Sequence, residues 1–398
     1  MLALYLRTPT LCTQEPSLYV SKSPCIAYDR LVLSEVRINA TSIRDWPRHP
    51  HRGLLVDTSR HFVTVGGLLR ILDAMSYSKL NVLHWHIVDD QSFPYYSERF
   101  PNLSDMGAYH WSAVYRPGDV QRVVHAARDR GIRVLPEFDV PGHTRSWGVA
   151  YPSLLTKCYV GNSMNGLGPM DPTNRQVYDM LKDLFAELRQ VFPEKYFHVG
   201  GDEVDLSCWA SNPQIEDYML KNNISSTNQL HALFMNTTIP LLSAGTIPVV
   251  WQEVFDERVP LPNGTLVQVW ISNSRDYLRN VLSSGHRVVY STCWYLDHLK
   301  SGGDWGDFYA CDPREVLRDS SLENDIIGGE ACMWGEVVDD TNLATRVWPR
   351  AAAVAERLWS AAGGAAAAAR HRLEEHACRL RRRGIPAQPP NGPGFCLV

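Results

Sequence analysis

Tyr196-Phe197-His198-Val199-Gly200-Gly201-Asp202-Glu203-Val204 reads as a short β run, two glycines and two adjacent carboxylates. Successive side chains on a regular strand point to opposite faces, so Asp202 and Glu203 cannot both reach one site from an ideal strand. The paired glycines permit a bend that aims both carboxylates out of the strand's end. A carboxylate pair presented at the cost of glycine entropy is what acid/base chemistry requires. Taken alone, the stretch is equally a strand ending in a charged turn. What decides is that the same design recurs along the chain.

From Trp46-Pro47-Arg48-His49-Pro50 onward, short apolar β runs alternate with amphipathic helical segments, the texture of a parallel sheet covered by helices. Eight runs are predicted: Gly53–Asp57, Asn81–Asp89, Ile132–Asp139, Tyr196–Glu203, Ile247–Trp251, Leu266–Trp270, Arg287–Tyr295 and Ile326–Trp334. Helices are predicted between most of them, among them Gly66–Lys79, Pro117–Arg130, Gln176–Val191 and Ser226–Ala244, with Arg346–Leu358 and Arg370–Arg383 closing the outer ring. Eight strand–helix units predict an α/β fold, a closed (β/α)8 TIM barrel. An open doubly wound sheet is the alternative, but no Gly-x-Gly-x-x-Gly run follows the first strand. Residues 1–48 lack this periodicity; Leu31–Ile38 is their one predicted strand.

A chain of 398 residues suits such a barrel with insertions and a small extra domain. A net charge of −4 without a long basic run argues against nucleic acid as partner. No run of about 20 apolar residues exists, so no membrane-crossing helix is expected. The apolar stretch Met1–Leu6 is shorter than the apolar core of a signal peptide. Five Asn-X-Ser/Thr sequons nevertheless occur, at Asn39, Asn102, Asn223, Asn236 and Asn263. Nine cysteines leave at least one unpaired within a monomer.

In barrels of this type chemistry sits at the C-terminal strand ends. Those ends carry Asp57 and Arg60; Asp89 and Asp90; Glu137, Asp139 and His143; Asp202 and Glu203; Trp251 and Glu253; Trp270; Trp294 and Tyr295; Trp334 and Glu336. One such ending is ordinary surface, whereas eight make a site. Neighbouring carboxylates cannot easily flank a sugar as the ~5 Å pair of an ordinary retaining glycosidase does. They can serve a substrate that carries its own nucleophile: Glu203 as acid to the leaving oxygen, Asp202 orienting a 2-acetamido group.

Six motifs appear in order: His-Trp-His-Ile-Val-Asp-Asp, Glu-Phe-Asp-Val-Pro-Gly-His, Gly-Gly-Asp-Glu, Val-Trp-Gln-Glu-Val-Phe, Trp-Tyr-Leu-Asp and Gly-Gly-Glu-Ala-Cys-Met-Trp-Gly-Glu. From about Leu33 to Cys396 the chain resembles the β-N-acetylhexosaminidases of glycoside hydrolase family 20, most closely the animal lysosomal type. The resemblance implies an exo-acting retaining enzyme that removes terminal β-linked GlcNAc or GalNAc from glycoconjugates by substrate assistance. It makes Glu203 the proton donor and later the base for water. Asp202 stabilises the oxazolinium-like intermediate and Tyr295 donates to the acetamido oxygen. Trp251, Trp270 and Trp334 wall the sugar; Arg60, Asp89 and Glu336 hold its hydroxyls; His143, with Asp139 behind it, tunes Glu203.

The same resemblance implies no metal and no other cofactor, a homodimer, a lysosomal or secreted location, and disulfides Cys158–Cys208 and Cys378–Cys396. It makes residues 1–48 the truncated remnant of a small N-terminal α+β domain and residues 49–398 the catalytic barrel. Cys293 and Cys332 are expected as buried thiols and Cys12 with Cys25 as a pair; Cys311 has no assigned partner. Among the animal enzymes, the type confined to neutral sugars has Asp followed by an apolar residue after Trp-Tyr-Leu. The type that accepts anionic sugars has Asn-Arg there. Asp297 therefore points to neutral substrates, with His298 offsetting part of its charge when protonated.

Two rival readings compete with this one. His84-Trp85-His86 has the spacing of metal ligands in a metal-dependent barrel hydrolase. Strand alternation from an inward Asp89 instead sends both histidines toward the helices unless a bulge intervenes. A catalytically weak sugar-binding barrel would keep the tryptophans and lose an acid/base residue, yet Asp202, Glu203 and Tyr295 are all present. Trp46, Trp209 and Trp359 are expected in the core and not at the sugar.

Overall fold

A computed structural model describes residues 19–20, 36–37, 40–300, 303–319, 321–361, 363–392 and 396. Eight parallel strands close in sequence order: β1 (His51–Asp57), β2 (Val82–Val88), β3 (Arg133–Phe138), β4 (Tyr196–His198), β5 (Ile247–Trp251), β6 (Leu266–Val269), β7 (Arg287–Tyr290) and β8 (Ile326–Met333), which pairs back onto β1. Each predicted run coincides with one strand, and the barrel follows. Gly53–Asp57 and Ile247–Trp251 end where their strands end, whereas the other six runs were too long at their C-terminal ends, because those residues leave the ladder to build the rim.

Outward-facing strand residues such as Leu54, Val56, Leu83, Trp85, Val250 and Val267 pack with the helices in one large core. The helices supply matching stripes. In Val65–Tyr77, Leu68, Ile71, Leu72 and Met75 are buried at helical spacing, and the Thr64 side chain caps the start by accepting from Gly67 N. Arg175–Val191 buries Val177, Met180, Leu181, Leu184, Phe185 and Leu188 behind an Asn174 cap. Each such side chain contributes roughly 1.5–3 kcal/mol by leaving water. The predicted Ser226–Ala244 helix is shorter, Thr227–Thr238 followed by a single 3-10 turn.

Inward-facing residues form three layers. The floor is apolar, from Val82, Leu135, Val249, Leu266, Val289 and Ile327. The middle layer is ionic: His51, His84, Glu137, His198, Gln268 and Glu330 are all buried. Gly53 has no Cβ where one would stand 2.3 Å from Glu330 Cγ, so the glycine makes room for that carboxylate. The top layer is aromatic, with Trp251 packed beside Leu55, Cys332, Trp270, Tyr295 and Trp334. The ladder of β2 with β3 shifts register between His86 and Val88. This bulge corrects the expectation that His84 and His86 face the helices: both point inward while Asp89 still reaches the rim.

The segment after β3 carries an antiparallel hairpin, Leu155–Val160 with Ser163–Met170, that sequence periodicity did not reveal. Disulfides join Cys158 to Cys208 and Cys378 to Cys396, as the resemblance implied. Cys293 is not a free thiol; it pairs with Cys311, while Cys332 is free and buried. Trp209 is fully buried, but Trp46 is 70% exposed and is not a core residue. Trp359 is half-buried beneath Lys79 and Arg52. Of the predicted strand Leu31–Ile38, Val36–Arg37 pairs with Tyr19–Val20; the rest of that run, Cys12, Cys25 and Asn39 lie outside the described residues. The four described sequon asparagines, Asn102, Asn223, Asn236 and Asn263, are exposed.

Candidate active site

β4 ends at His198, and the chain turns through Gly200 (φ 71°) and Gly201 (φ 97°), both in the left-handed region that glycine tolerates. A Cβ on Gly200 would stand 1.6 Å from Asp139 Oδ1, so β4 and β3 approach here only through glycine. Gly201 N donates to Asp139 Oδ1 at 2.9 Å. Beyond this turn Glu203 also adopts positive φ, 48°, a strained setting for a non-glycine residue. The turn brings both carboxylates to one imidazole. His143 Nε2 lies 3.6 Å from Asp202 Oδ2 and 3.6 Å from Glu203 Oε2. The two differ in setting: the Asp202 side chain is 9% exposed, that of Glu203 59%.

His143 is anchored from behind by Asp89, Nδ1 to Oδ1 at 3.1 Å. Asp139, expected behind His143, takes the Gly201 amide and lies with His143 and Asp202 in one group whose polar atoms are within 4.8 Å of one another. Asp89 is itself placed differently from expectation. It is fully buried, and its oxygens hold His143, His86 Nε2 (2.8 Å) and Arg60 Nη2 (3.0 Å), leaving no free face for a sugar hydroxyl. Arg60 also bonds Asp57 Oδ2 at 3.1 Å and lies 5.0 Å over the Trp334 ring. Asp57 fixes this corner by accepting from Ser59 N and Gly335 N. Glu336, next along, is exposed.

The aromatic residues form one contiguous cluster at the top of the barrel. Trp251 stands 6.3 Å from Trp270 and 6.0 Å from Trp334, and Trp270 stacks on Tyr295 at 5.9 Å. Trp270 Nε1 donates to Glu253 Oε2 at 2.9 Å. Trp294, also at a strand end, is a core residue that donates to Phe308 O. Asp297 is largely buried, faces His298 at 3.4 Å, and keeps Oδ1 without a hydrogen-bond partner.

Electrostatics follow from this packing. Burial, and then the Asp202 charge, push the Asp139 carboxyl well above the usual range. Burial alone would discharge His143, but Asp202, Asp89 and Asp139 outweigh it and hold the imidazolium up to about 11. Asp89 resists its own burial through His143 and His86 and is lowered. Burial and Asp202 raise Glu253 to about 8, and burial raises the Tyr295 phenol. Two groups of three donors lie within 4.8 Å of one another: His84, Glu137 and His198, and Asp139, His143 and Asp202. In the first, both imidazoles already face Glu137, His84 Nε2 at 3.0 Å and His198 Nδ1 at 3.1 Å. A cleft of about 1160 Å³ lies elsewhere, between helices Pro117–Asp129 and Arg175–Val191. Its lining includes Glu187 beside Tyr95, but that carboxylate already accepts from Tyr95 Oη and Ser97 Oγ, so the rim remains the candidate site.

Sequence reading found the rim but not its support. Glu330 and His198 were not singled out, and Glu253 and Glu137 had no role. Their signal is position: Glu137 and Glu253 stand two residues from Asp139 and Trp251, and His198 and Glu330 stand four residues before Asp202 and Trp334.

A closed parallel barrel with a paired carboxylate, an arginine corner and an aromatic box on its C-terminal rim is a barrel of the glycoside hydrolase class. Residues 49–362 match the glycosyl hydrolase family 20 catalytic domain. The chain is 48% identical over 357 residues to mouse (Mus musculus) beta-hexosaminidase subunit beta, covering 88% of this chain and 67% of that one. It is 46% identical over 367 residues to the mouse subunit alpha, covering 90% and 69%. The solved chitobiase of Flavobacterium johnsoniae matches with a TM-score of 0.77 at 32% identity, over 85% of this chain and 52% of that one. The chain belongs to glycosyl hydrolase family 20, and it spans about two thirds of the length of these curated relatives.

Proposed function

We propose that the chain is an exo-acting retaining β-N-acetylhexosaminidase that releases terminal β-linked GlcNAc or GalNAc from oligosaccharides, glycoproteins and glycolipids. One observation carries this reading: Asp202 and Glu203 converge on one side of His143, buried and exposed respectively, on a rim that also carries the tryptophan box. Two carboxyls so placed do not straddle a glycosidic bond, so the nucleophile belongs to the substrate.

Glu203 gives its proton to the glycosidic oxygen as the bond from C1 to that oxygen breaks. The acetamido carbonyl oxygen attacks C1 from the opposite face, forming an oxazolinium whose N–H is held by Asp202. Tyr295 donates to the same acetamido oxygen, and Trp251, Trp270 and Trp334 enclose the methyl group and the sugar face. Glu203, now a carboxylate, takes a proton from water, which attacks C1 and opens the ring with retention. Arg60 and Glu336 hold ring hydroxyls, and Asp297 holds the 6-hydroxyl. Asp89, His143 and Asp139 position these groups from behind. The sequons and the named relatives support a lysosomal or secreted enzyme, and the family resemblance supports a homodimer.

The test is turnover of 4-nitrophenyl N-acetyl-β-D-glucosaminide, with Glu203→Gln expected to lower kcat by about 10²–10⁴-fold. A thiazoline mimic of the cyclised intermediate is expected to inhibit far more strongly than GlcNAc. Equal weak inhibition by both overturns substrate assistance.

A further inference from the structure

The ionic layer beneath the rim has a hub. Glu137 is fully buried and takes one hydrogen-bond donor on each oxygen, with a further imidazole nitrogen close to each. Oε1 accepts from Trp251 Nε1 at 2.8 Å and lies 3.1 Å from His198 Nδ1. Oε2 lies 2.6 Å from His86 Nδ1 and 3.0 Å from His84 Nε2. His198 Nδ1 accepts from Gly200 N at 3.1 Å, so the two donors that hold Glu137 are Trp251 and His86. Two routes therefore leave one carboxylate. The first ends directly on Trp251 in the aromatic box. The second runs through His86 to Asp89 (2.8 Å), from Asp89 to His143 (3.1 Å), and from His143 to Asp202 and Glu203 (3.6 Å each).

We propose, on the reading that this site is the hexosaminidase site, that Glu137 is a positioning residue whose two oxygens hold the sugar-facing Trp251 and the His86–Asp89–His143 chain as one unit. The reason lies in donor and acceptor chemistry. A carboxylate only accepts, so the two nitrogens hydrogen-bonded to Glu137, His86 Nδ1 and Trp251 Nε1, each carry a proton. His86 stands between two carboxylates, Glu137 and Asp89, and so is doubly protonated. That fixes the polarity of the chain up to His143. Around Glu137 stand His84 and His86 from β2, His198 from β4, Trp251 from β5 and, at its own strand's end, Asp139. Glu330 from β8 completes the layer, 2.8 Å from His84 Nδ1. Glu137→Gln keeps the volume but turns one oxygen into an NH2 donor. Whichever way the amide turns, that donor meets either Trp251 Nε1–H or the protonated Nδ1 of His86.

The test compares the full chain, Glu137→Gln and His86→Gln. In ¹⁵N-histidine NMR titrations, wild-type His86 is expected to stay doubly protonated well past neutral pH, and Glu137→Gln to shift its titration to lower pH. On 4-nitrophenyl N-acetyl-β-D-glucosaminide, Glu137→Gln is expected to lower kcat about 10²-fold and also raise KM, because both routes are cut. His86→Gln cuts only the second route, so it is expected to lower kcat with KM nearly unchanged. An unshifted His86 titration in Glu137→Gln, unchanged kinetics, or the same kcat-to-KM split in both variants overturns the proposal. Should Glu137→Gln fail to fold, a His86→Gln variant that raises KM as much as it lowers kcat overturns it. A wild-type chain without turnover refutes the hexosaminidase reading, and the imidazole titrations still decide whether Glu137 organises the chain.

Discussion

His143 bonds Asp89 through Nδ1 at 3.1 Å, and Asp139 lies in one group with His143 and Asp202, with the Gly201 amide on its Oδ1. Two buried acids near one imidazole thus have opposite characters. Asp89 is lowered and ionised, whereas burial and Asp202 hold Asp139 in its neutral form. Asparagine imitates a neutral carboxylic acid: it accepts through one atom and donates through the other. Asp139→Asn is therefore expected to cost less than tenfold in kcat. Asp89→Asn removes the charge that holds both Arg60 and His143 and is expected to cost about 10²-fold. Steady-state kinetics on the chromogenic substrate checks the order; an equal loss in both variants contradicts it.

The ionic layer also sets a pH window for stability. The carboxylates Asp89, Glu137 and Glu330 are lowered in the fold, because buried imidazoles outweigh the cost of their burial. Their contribution is present above their unfolded values of 3.8 and 4.5 and is lost as pH falls through the folded ones. His84 and His86 are raised to about 9 and about 10. Their contribution is complete below the unfolded 6.5 and is lost as pH rises through those folded values. Both sets contribute fully between 4.5 and 6.5. Thermal unfolding scanned over pH is expected to peak in that range, with the peak flattened in Glu330→Gln. A maximum above pH 8 counts against this account.

The eight strand ends were legible because rim residues follow apolar runs directly, and a turn after Gly200-Gly201 follows from backbone freedom alone. The ionic layer was not legible. On β2, strict alternation gives the wrong face for His84 and His86, since the bulge at His86/Val88 leaves no mark in residue type. Asp89 looked like a sugar ligand because a carboxylate at a strand end looks the same whether it faces solvent or three buried cations. The Cys293–Cys311 pair was hidden by the same limit: spacing does not assign a bridge.

That disulfide encloses the segment holding Tyr295 and Asp297, tying it to the residue after helix Trp305–Ala310. Cys378–Cys396 closes an interval of the same length, 18 positions, at the C-terminus. Each closure stabilises by about 3 kcal/mol through the unfolded chain. Denaturant unfolding is expected to show similar losses for the Cys293→Ser/Cys311→Ser and Cys378→Ser/Cys396→Ser double variants. Only the first is expected to raise KM for the chromogenic substrate, because only it frees the Tyr295 segment. Equal KM values in both double variants contradict a positioning role for this bridge.

Substrate charge is read at Asp297. Its side chain is 15% exposed, and its Oδ1 is buried without a hydrogen-bond partner, so it can take a neutral hydroxyl from the sugar. A sulfate at the same place meets a like charge directly, with little water between. His298, 3.4 Å away but 74% exposed, is screened and offsets only part of that repulsion. Burial, together with Glu336, raises the Asp297 carboxyl above its usual range. The sign is then fixed: a raised acid is increasingly neutral as pH falls, so repulsion weakens at acid pH and grows as pH rises through the folded value. The ratio of kcat/KM for 4-nitrophenyl N-acetyl-β-D-glucosaminide to that for its 6-sulfate is expected to exceed tenfold near neutral pH and to narrow steadily toward pH 4. Asp297→Asn is expected to remove most of this pH dependence, because the amide neither ionises nor repels the sulfate. A ratio that widens as pH falls, or one that Asp297→Asn leaves untouched, assigns the discrimination to another residue.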